Sequence, residues 1–283
     1  MPQDARNDGG KTPISRLLEV MAQLRDPESG CPWDLEQDHR TLKAYLIEEV
    51  HEVLEAIDNE DWPHLQEELG DVLIQVVFHS QLAREAGRFD FHDVAQGIAD
   101  KLTRRHPHIF APNLSQEGSS SRPARARPEA PSDALQSWEE IKKAEKKKTS
   151  IFEGIPHSLP SLLKAYRVQE KASIVGFDFE NVDQIVAKIR EEVEEFESAR
   201  AEGSDAGRLE EEFGDLIFSL VNLSRLMGLN AEFCLEKSTR KFIQRFKRIE
   251  SRAAATGRRM EKMSLEEMDT LWEEAKSHAT QSE

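Results

Sequence analysis

Cysteine is nearly absent: Cys31 and Cys234, in opposite halves of the chain, are the only two among 283 residues. So placed, they form neither a disulfide framework nor a paired-cysteine metal site, which makes a reducing cytosol the expected compartment. Both thiols are read as small buried hydrophobes. No apolar run approaches the roughly 20 residues that span a bilayer, and the opening segment MPQDARNDGGK has no apolar core of a signal peptide. No membrane partner is expected, and the protein is expected to be cytoplasmic. Glycine and proline are sparse, at 14 and 12 residues, while Leu, Ala, Glu, Lys and Arg dominate outside one stretch. That mix suits helices better than strands, and the fold is expected to be all-α. Cationic side chains are also in deficit, 38 Lys plus Arg against 54 acids, for a formal charge of −16. Such a surface repels a polyphosphate backbone and argues against nucleic acid as a partner. A small anionic ligand would need divalent cations to reverse the local sign.

What is present is a duplication. The order of features in residues 17–142 recurs in 162–276. Each copy opens on a leucine pair, Leu17-Leu18 or Leu162-Leu163, followed by an aromatic beside an acid, Trp33-Asp34 or Phe177-Asp178. Copy one then carries Glu48-Glu49-Val50-His51-Glu52 and Glu67-Glu68-Leu69-Gly70-Asp71. Copy two carries Glu191-Glu192-Val193-Glu194-Glu195 and Glu211-Glu212-Phe213-Gly214-Asp215. Asp71 lies 23 positions after Glu48, and Asp215 lies 24 after Glu191. An apolar segment follows, then basic residues (Lys101, Arg104 and Arg105, or Lys241 and Arg245), then a Trp-Glu-Glu-x-Lys element beginning at Trp138 or Trp272. The length suffices for two domains, predicted at residues 14–147 and 151–278. Residues 113–135, rich in Ser, Pro, Ala and Arg with no core-forming pattern, are read as a disordered surface insertion, and 146–150 as the junction.

The acids have a reason to converge. At about 100° per residue, Glu191 and Glu195 stand one turn apart on one helical face, and Glu192 reaches that face as the i,i+3 neighbour of Glu195. Glu212 and Asp215 are likewise i and i+3. The second acidic pair precedes a segment, 216–223, that is apolar on nearly every side, which predicts a helix inside a bundle with its acids turned inward. Helix capping would account for Glu211, Glu212 and Asp215 but not for the other cluster. Four carboxylates meeting across two helices repel by about 4 kcal/mol per pair at 4 Å and an effective dielectric of about 20. Bound cations relieve that repulsion. Oxygen ligands without cysteine or repeated histidine favour Mg²⁺, or Mn²⁺, over zinc. A di-iron bundle needs a Glu-x-x-His pair on each of two helices, and copy two has Glu194 where copy one has His51. His106-Pro107-His108 is read as a turn after a helix.

With these motifs the chain resembles the MazG family of nucleoside triphosphate pyrophosphohydrolases in both copies. The likeness rests on the paired Glu-Glu-x-x-Glu and Glu-x-x-Asp motifs, on Cys31-Pro32-Trp33-Asp34, on Arg104-Arg105-His106-Pro107-His108, and on residues 241–245. The resemblance implies two tandem helical bundle domains, a homodimer, and hydrolysis of a triphosphate to a monophosphate and pyrophosphate. It places activity in the C-terminal copy, with Glu192, Glu195, Glu212 and Asp215 as Mg²⁺ ligands and Lys188, Arg208, Lys241, Arg245 and Trp272 around the nucleotide. Glu191 is assigned to positioning or deprotonating the attacking water or to a further metal, with a surface salt bridge as the alternative. Arg208 and Thr239 stand where the family leads one to expect lysine and asparagine. A nucleotide-pool housecleaning role follows from the resemblance alone. The rival function is a non-catalytic nucleotide sensor or interaction scaffold, above all for the N-terminal copy, whose Glu49, Glu52, Glu68 and Asp71 are intact.

Overall fold

A computed structural model describes residues 11–110, 150–203 and 205–279, and among these it contains helices and no strand. The proposed insertion at 113–135 and the first Trp-Glu-Glu-x-Lys element at 138–142 lie outside the described residues. Tertiary contacts divide the chain into two compact units, residues 1–142 and 143–283.

Helix α1 (Pro13–Leu24) starts where the Thr12 hydroxyl accepts the Ser15 N–H, with proline at the first helical position. A short α2 (Pro32–Glu36) leads into α3 (Lys43–Asp58). Three residues then turn the chain into α4 (Trp62–Glu85), capped by Asp61, and the two pack along each other. Helix α5 (Phe91–Arg105) opens on a capping box made by Asp90 and Asp93. It ends at His106, whose Nδ1 lies 2.7 Å from the Leu102 carbonyl before the short α6 (Pro107–Phe110). The core gathers Met21, Leu42, Val77, Phe78 and Leu82, with Leu17, Leu18, Ile74 and Phe91 packed against it. Its α4 members all lie C-terminal to Asp71, leaving the earlier turns of that helix to the acids.

The second unit repeats the plan. Helix α7 (Ser161–Ile174) precedes the packed pair α8 (Val182–Ala201) and α9 (Ala206–Leu226), whose N-caps are Asn181 and Asp205. Helix α10 (Ala231–Ala255), a single 3-10 turn at Met260–Lys262 and α11 (Leu265–Ala279) complete it. Gln169 on α7 donates to the Phe218 carbonyl of α9 at 2.8 Å, and Glu232 on α10 accepts the Leu163 N–H at 3.2 Å.

The capping alternative falls, and two expectations change. Glu211, Glu212 and Asp215 do not cap a helix, because α9 begins at Ala206 and is capped by Asp205. Among the described residues the apolar segment of α9 is only partly enclosed: Ser219 and Val221 are buried against its neighbours, whereas Phe218 and Leu220 are 42% and 47% exposed. Cys234 is exposed on the first turn of α10, and Cys31 is half-buried ahead of α2.

Candidate active site

In each unit the acids come from the packed helix pair. Glu49 on α3 and Glu68 and Asp71 on α4 bring carboxylate oxygens within 4.8 Å of one another, and Glu192 on α8 with Glu212 and Asp215 on α9 does the same. A Mg²⁺ ion with ligands at about 2.1 Å has opposite ligands about 4.2 Å apart, so both triads are close to a metal's span. The donors are hard oxygens, as Mg²⁺ and Mn²⁺ prefer. Glu68 adds a more pointed observation: it is 6% exposed, and its Oε2 is buried without a hydrogen-bond donor. An acceptor stranded in this way is costly unless a cation meets it.

The fourth acid of each motif stands beside its triad. Burial, followed by the charges of Asp71 and Glu52, raises the Glu49 carboxyl above its ordinary value. Burial and then Glu52 raise Glu68. In the second unit, partial desolvation raises Glu195; Lys188 opposes this, while Glu192 and Glu212 add to it. Acids crowded by acids and removed from water hold their protons more tightly, which is the signature of a site short of positive charge.

The units differ in the cations they supply. One turn ahead of Glu192, the Lys188 ammonium reaches both Glu191 and Glu192 at 2.8 Å. Arg208 approaches Glu212 at 3.8 Å and pairs with Glu202 at 2.9 Å. By the alignment of the acidic motifs, the first unit has Tyr45 in place of Lys188 and His64 in place of Arg208. The Tyr45 ring meets Trp33 edge-on at 5.7 Å, and His64 Nε2 lies 2.8 Å from Glu68 Oε1.

Arg245 and Trp272 form a separate group. The Arg245 guanidinium lies over the Trp272 ring at 5.8 Å, Phe242 packs on the same ring at 5.0 Å, and the Arg245 Nε is buried without an acceptor. Lys241 is exposed one turn away. The sequence reading missed how the aromatic-acid loops are held. Arg25 donates to the Asp34 and Gln37 carbonyls and pairs with Glu85, and Arg225 pairs with Asp178. Glu85 lies 60 residues from Arg25 and Asp178 47 from Arg225, separations that no periodicity links.

The family model for the MazG nucleotide pyrophosphohydrolase domain matches twice, at residues 37–110 and 180–249. The matches span the acid-bearing helix pairs of both units. A nucleoside triphosphate pyrophosphohydrolase of Escherichia coli (strain K12) is 45% identical over 267 residues, covering 93% of this chain and 97% of the relative. A nucleoside triphosphate pyrophosphohydrolase/pyrophosphatase of Thermotoga maritima is 44% identical over 265 residues, 93% of this chain and 95% of the relative. A nucleoside triphosphate pyrophosphohydrolase of Mycobacterium tuberculosis is 33% identical over 164 residues, 57% of this chain and 46% of the relative.

Proposed function

The chain belongs to the MazG nucleotide pyrophosphohydrolase family and is a nucleoside triphosphate pyrophosphohydrolase, and we propose that it runs the reaction on the carboxylates of its second unit. In this reading Glu192, Glu212 and Asp215 hold Mg²⁺, or Mn²⁺, with Glu195 as a further ligand. The single observation that carries the choice of unit is the pair of cations beside that triad, Lys188 on Glu192 and Arg208 near Glu212, where the first unit offers Tyr45 and His64.

The bound ion would neutralise the triphosphate, polarise a phosphoryl oxygen and acidify a coordinated water. The remaining work falls to side chains. Glu191, on the exposed flank of α8, accepts the proton of the attacking water at its carboxylate. Lys188 and Arg208 steady phosphate oxygens, and Lys241 and Arg245, one turn apart on α10, offset charge that develops on the departing pyrophosphate. Trp272 gives the base an aromatic face. The reaction consumes water and a triphosphate and yields a monophosphate and pyrophosphate.

The two modules are assigned to residues 14–147, including the insertion at 113–135, and 151–278. The first module fits a nucleotide-sensing or scaffolding role, because it keeps Glu49, Glu52, Glu68 and Asp71 without the adjoining Lys and Arg. A second copy of the chain is the proposed cover for the apolar faces that each unit leaves open. A cytoplasmic nucleotide-pool housecleaning role, with no nucleic-acid partner, suits a chain of charge −16. The test is product identity: ³¹P NMR of a triphosphate panel with the protein and Mg²⁺ should show pyrophosphate and monophosphate together. Orthophosphate and diphosphate would overturn the assignment.

A further inference from the structure

The two acidic triads are built from matching residues on matching helices, yet they are neutralised differently. In the second unit the Lys188 ammonium sits 2.8 Å from an oxygen of Glu191 and 2.8 Å from an oxygen of Glu192, the most buried member of its triad. In the first unit Tyr45 holds the matching position with its ring against Trp33. There His64 serves only one oxygen of Glu68, and the other is buried with no donor.

We propose that Lys188 is an internal counter-cation of the C-terminal triad, which therefore takes up its divalent ion together with the triphosphate, whereas the N-terminal triad, with Tyr45 in that place, binds a divalent ion without nucleotide. The proposal rests on the reading of both triads as metal ligands. An ammonium in hydrogen-bond contact with Glu192 and a dication at about 2.1 Å from the same carboxylate repel each other, so the carboxylate serves one fully or the other. Lys188 can leave. Its side chain is 36% exposed, on a flexible four-carbon stem with three rotatable donors. If it leaves Glu192 it keeps only Glu191, whose side chain is 57% exposed, and so gives up one charge-assisted hydrogen bond that the phosphates of a nucleotide replace. The Glu68 oxygen left without a donor has only another acid, Glu52, within reach, so a cation from solution is what satisfies both.

The test is equilibrium dialysis of the full-length chain against Mn²⁺ without nucleotide, using wild type, Glu68→Gln, and Glu68→Gln combined with Lys188→Met. Wild type should retain Mn²⁺, and Glu68→Gln should lose most of it. The double variant should recover binding, with an affinity about tenfold above that of Glu68→Gln alone, the size expected for freeing a carboxylate from a charge-assisted hydrogen bond. An α,β-methylene triphosphate at equal concentration in both chambers should bring Mn²⁺ to the Glu68→Gln protein with Lys188 intact. Thermal melts of each variant report folding, and Lys188→Gln replaces the methionine variant if that one melts early. Equal nucleotide-free affinity of the single and double variants overturns the proposal, as does Mn²⁺ retention by Glu68→Gln equal to wild type. Failure of every protein to retain Mn²⁺ even with the analogue overturns the metal-ligand reading along with it.

Discussion

At the scale of single residues, the functional units repel themselves. Glu49, Glu68 and Glu195 are raised above the ordinary carboxylate value of 4.5, in each case first by removal from water and further by neighbouring acids. A carboxylate whose folded value lies above its unfolded one binds more protons when folded, so its contribution to stability falls as pH rises from 4.5 upward. These three carboxyls should therefore stabilise the metal-free protein increasingly as pH falls toward 4.5. His79 opposes them: burial and then His39 lower its value, so it costs stability as pH falls below 6.5. Saturating Mg²⁺ should remove the carboxyls' share and so stabilise the protein more at pH 7 than at pH 5. Below 4.5 the sign reverses, because Glu85 and Glu267, lowered by Arg25 and Arg258, lose their ion pairs on protonation. Melting curves across this range, with EDTA and with Mg²⁺, check the prediction. A Mg²⁺-induced rise in midpoint as large at pH 5 as at pH 7 would contradict it.

At the scale of elements, the turn that aims each acidic helix is the same device in different residues. After α8, Gly203 takes φ 66° and donates to the Arg200 carbonyl. After α3, Glu60 occupies the equivalent left-handed position at φ 54°, its N–H on Ile57 and the next N–H on Ala56. A side chain there is strained by about 1 kcal/mol relative to glycine. Glu60→Gly should thus raise the stability of the first unit by up to about 1 kcal/mol, measured by chemical denaturation, with the triad undisturbed. No residue pattern announced this, because a helix stop reads as strained only once its backbone angles are known.

The helix pairs themselves were legible, since 3.6-residue periodicity places Glu192 with Glu195 and Glu212 with Asp215, and duplication separates signal from chance. Spacing did not disclose that Glu192, Glu212 and Asp215 draw together while Glu195 stands beside them, because that depends on how α8 crosses α9. Lys188 is an i,i+4 neighbour of Glu192, so its pairing with that acid is legible from spacing, whereas the family resemblance implies a place beside phosphate. The Arg25 and Arg225 anchors are beyond the reach of sequence, as each ties the end of a helix to a loop that only the tertiary fold brings near.

At the scale of the whole molecule, one face is left bare twice. Val50, Leu69 and Val76 are 43%, 52% and 37% exposed, and their counterparts Val193, Phe213 and Leu220 are 38%, 52% and 47%. Apolar residues repeated at equivalent positions in two units mark a surface built to be covered. The apolar run of α9 predicts a helix inside a bundle, whereas Phe218 and Leu220 stand 42% and 47% exposed. Sedimentation of the full chain should give a dimer, and the Phe213→Glu and Leu220→Glu pair should weaken association at least about tenfold. A wild-type monomer at micromolar concentration would remove this account of the bare faces.

All three scales meet in the claim that the second triad, neutralised by Lys188 and approached by Arg208, is where triphosphate is cleaved. The most direct test compares kcat for pyrophosphate release in full-length Glu192→Gln and Glu49→Gln proteins at saturating Mg²⁺ and substrate. The account predicts a loss of about a hundredfold or more for Glu192→Gln and a change within about threefold for Glu49→Gln. A large loss confined to Glu49→Gln would place catalysis in the first unit and contradict it.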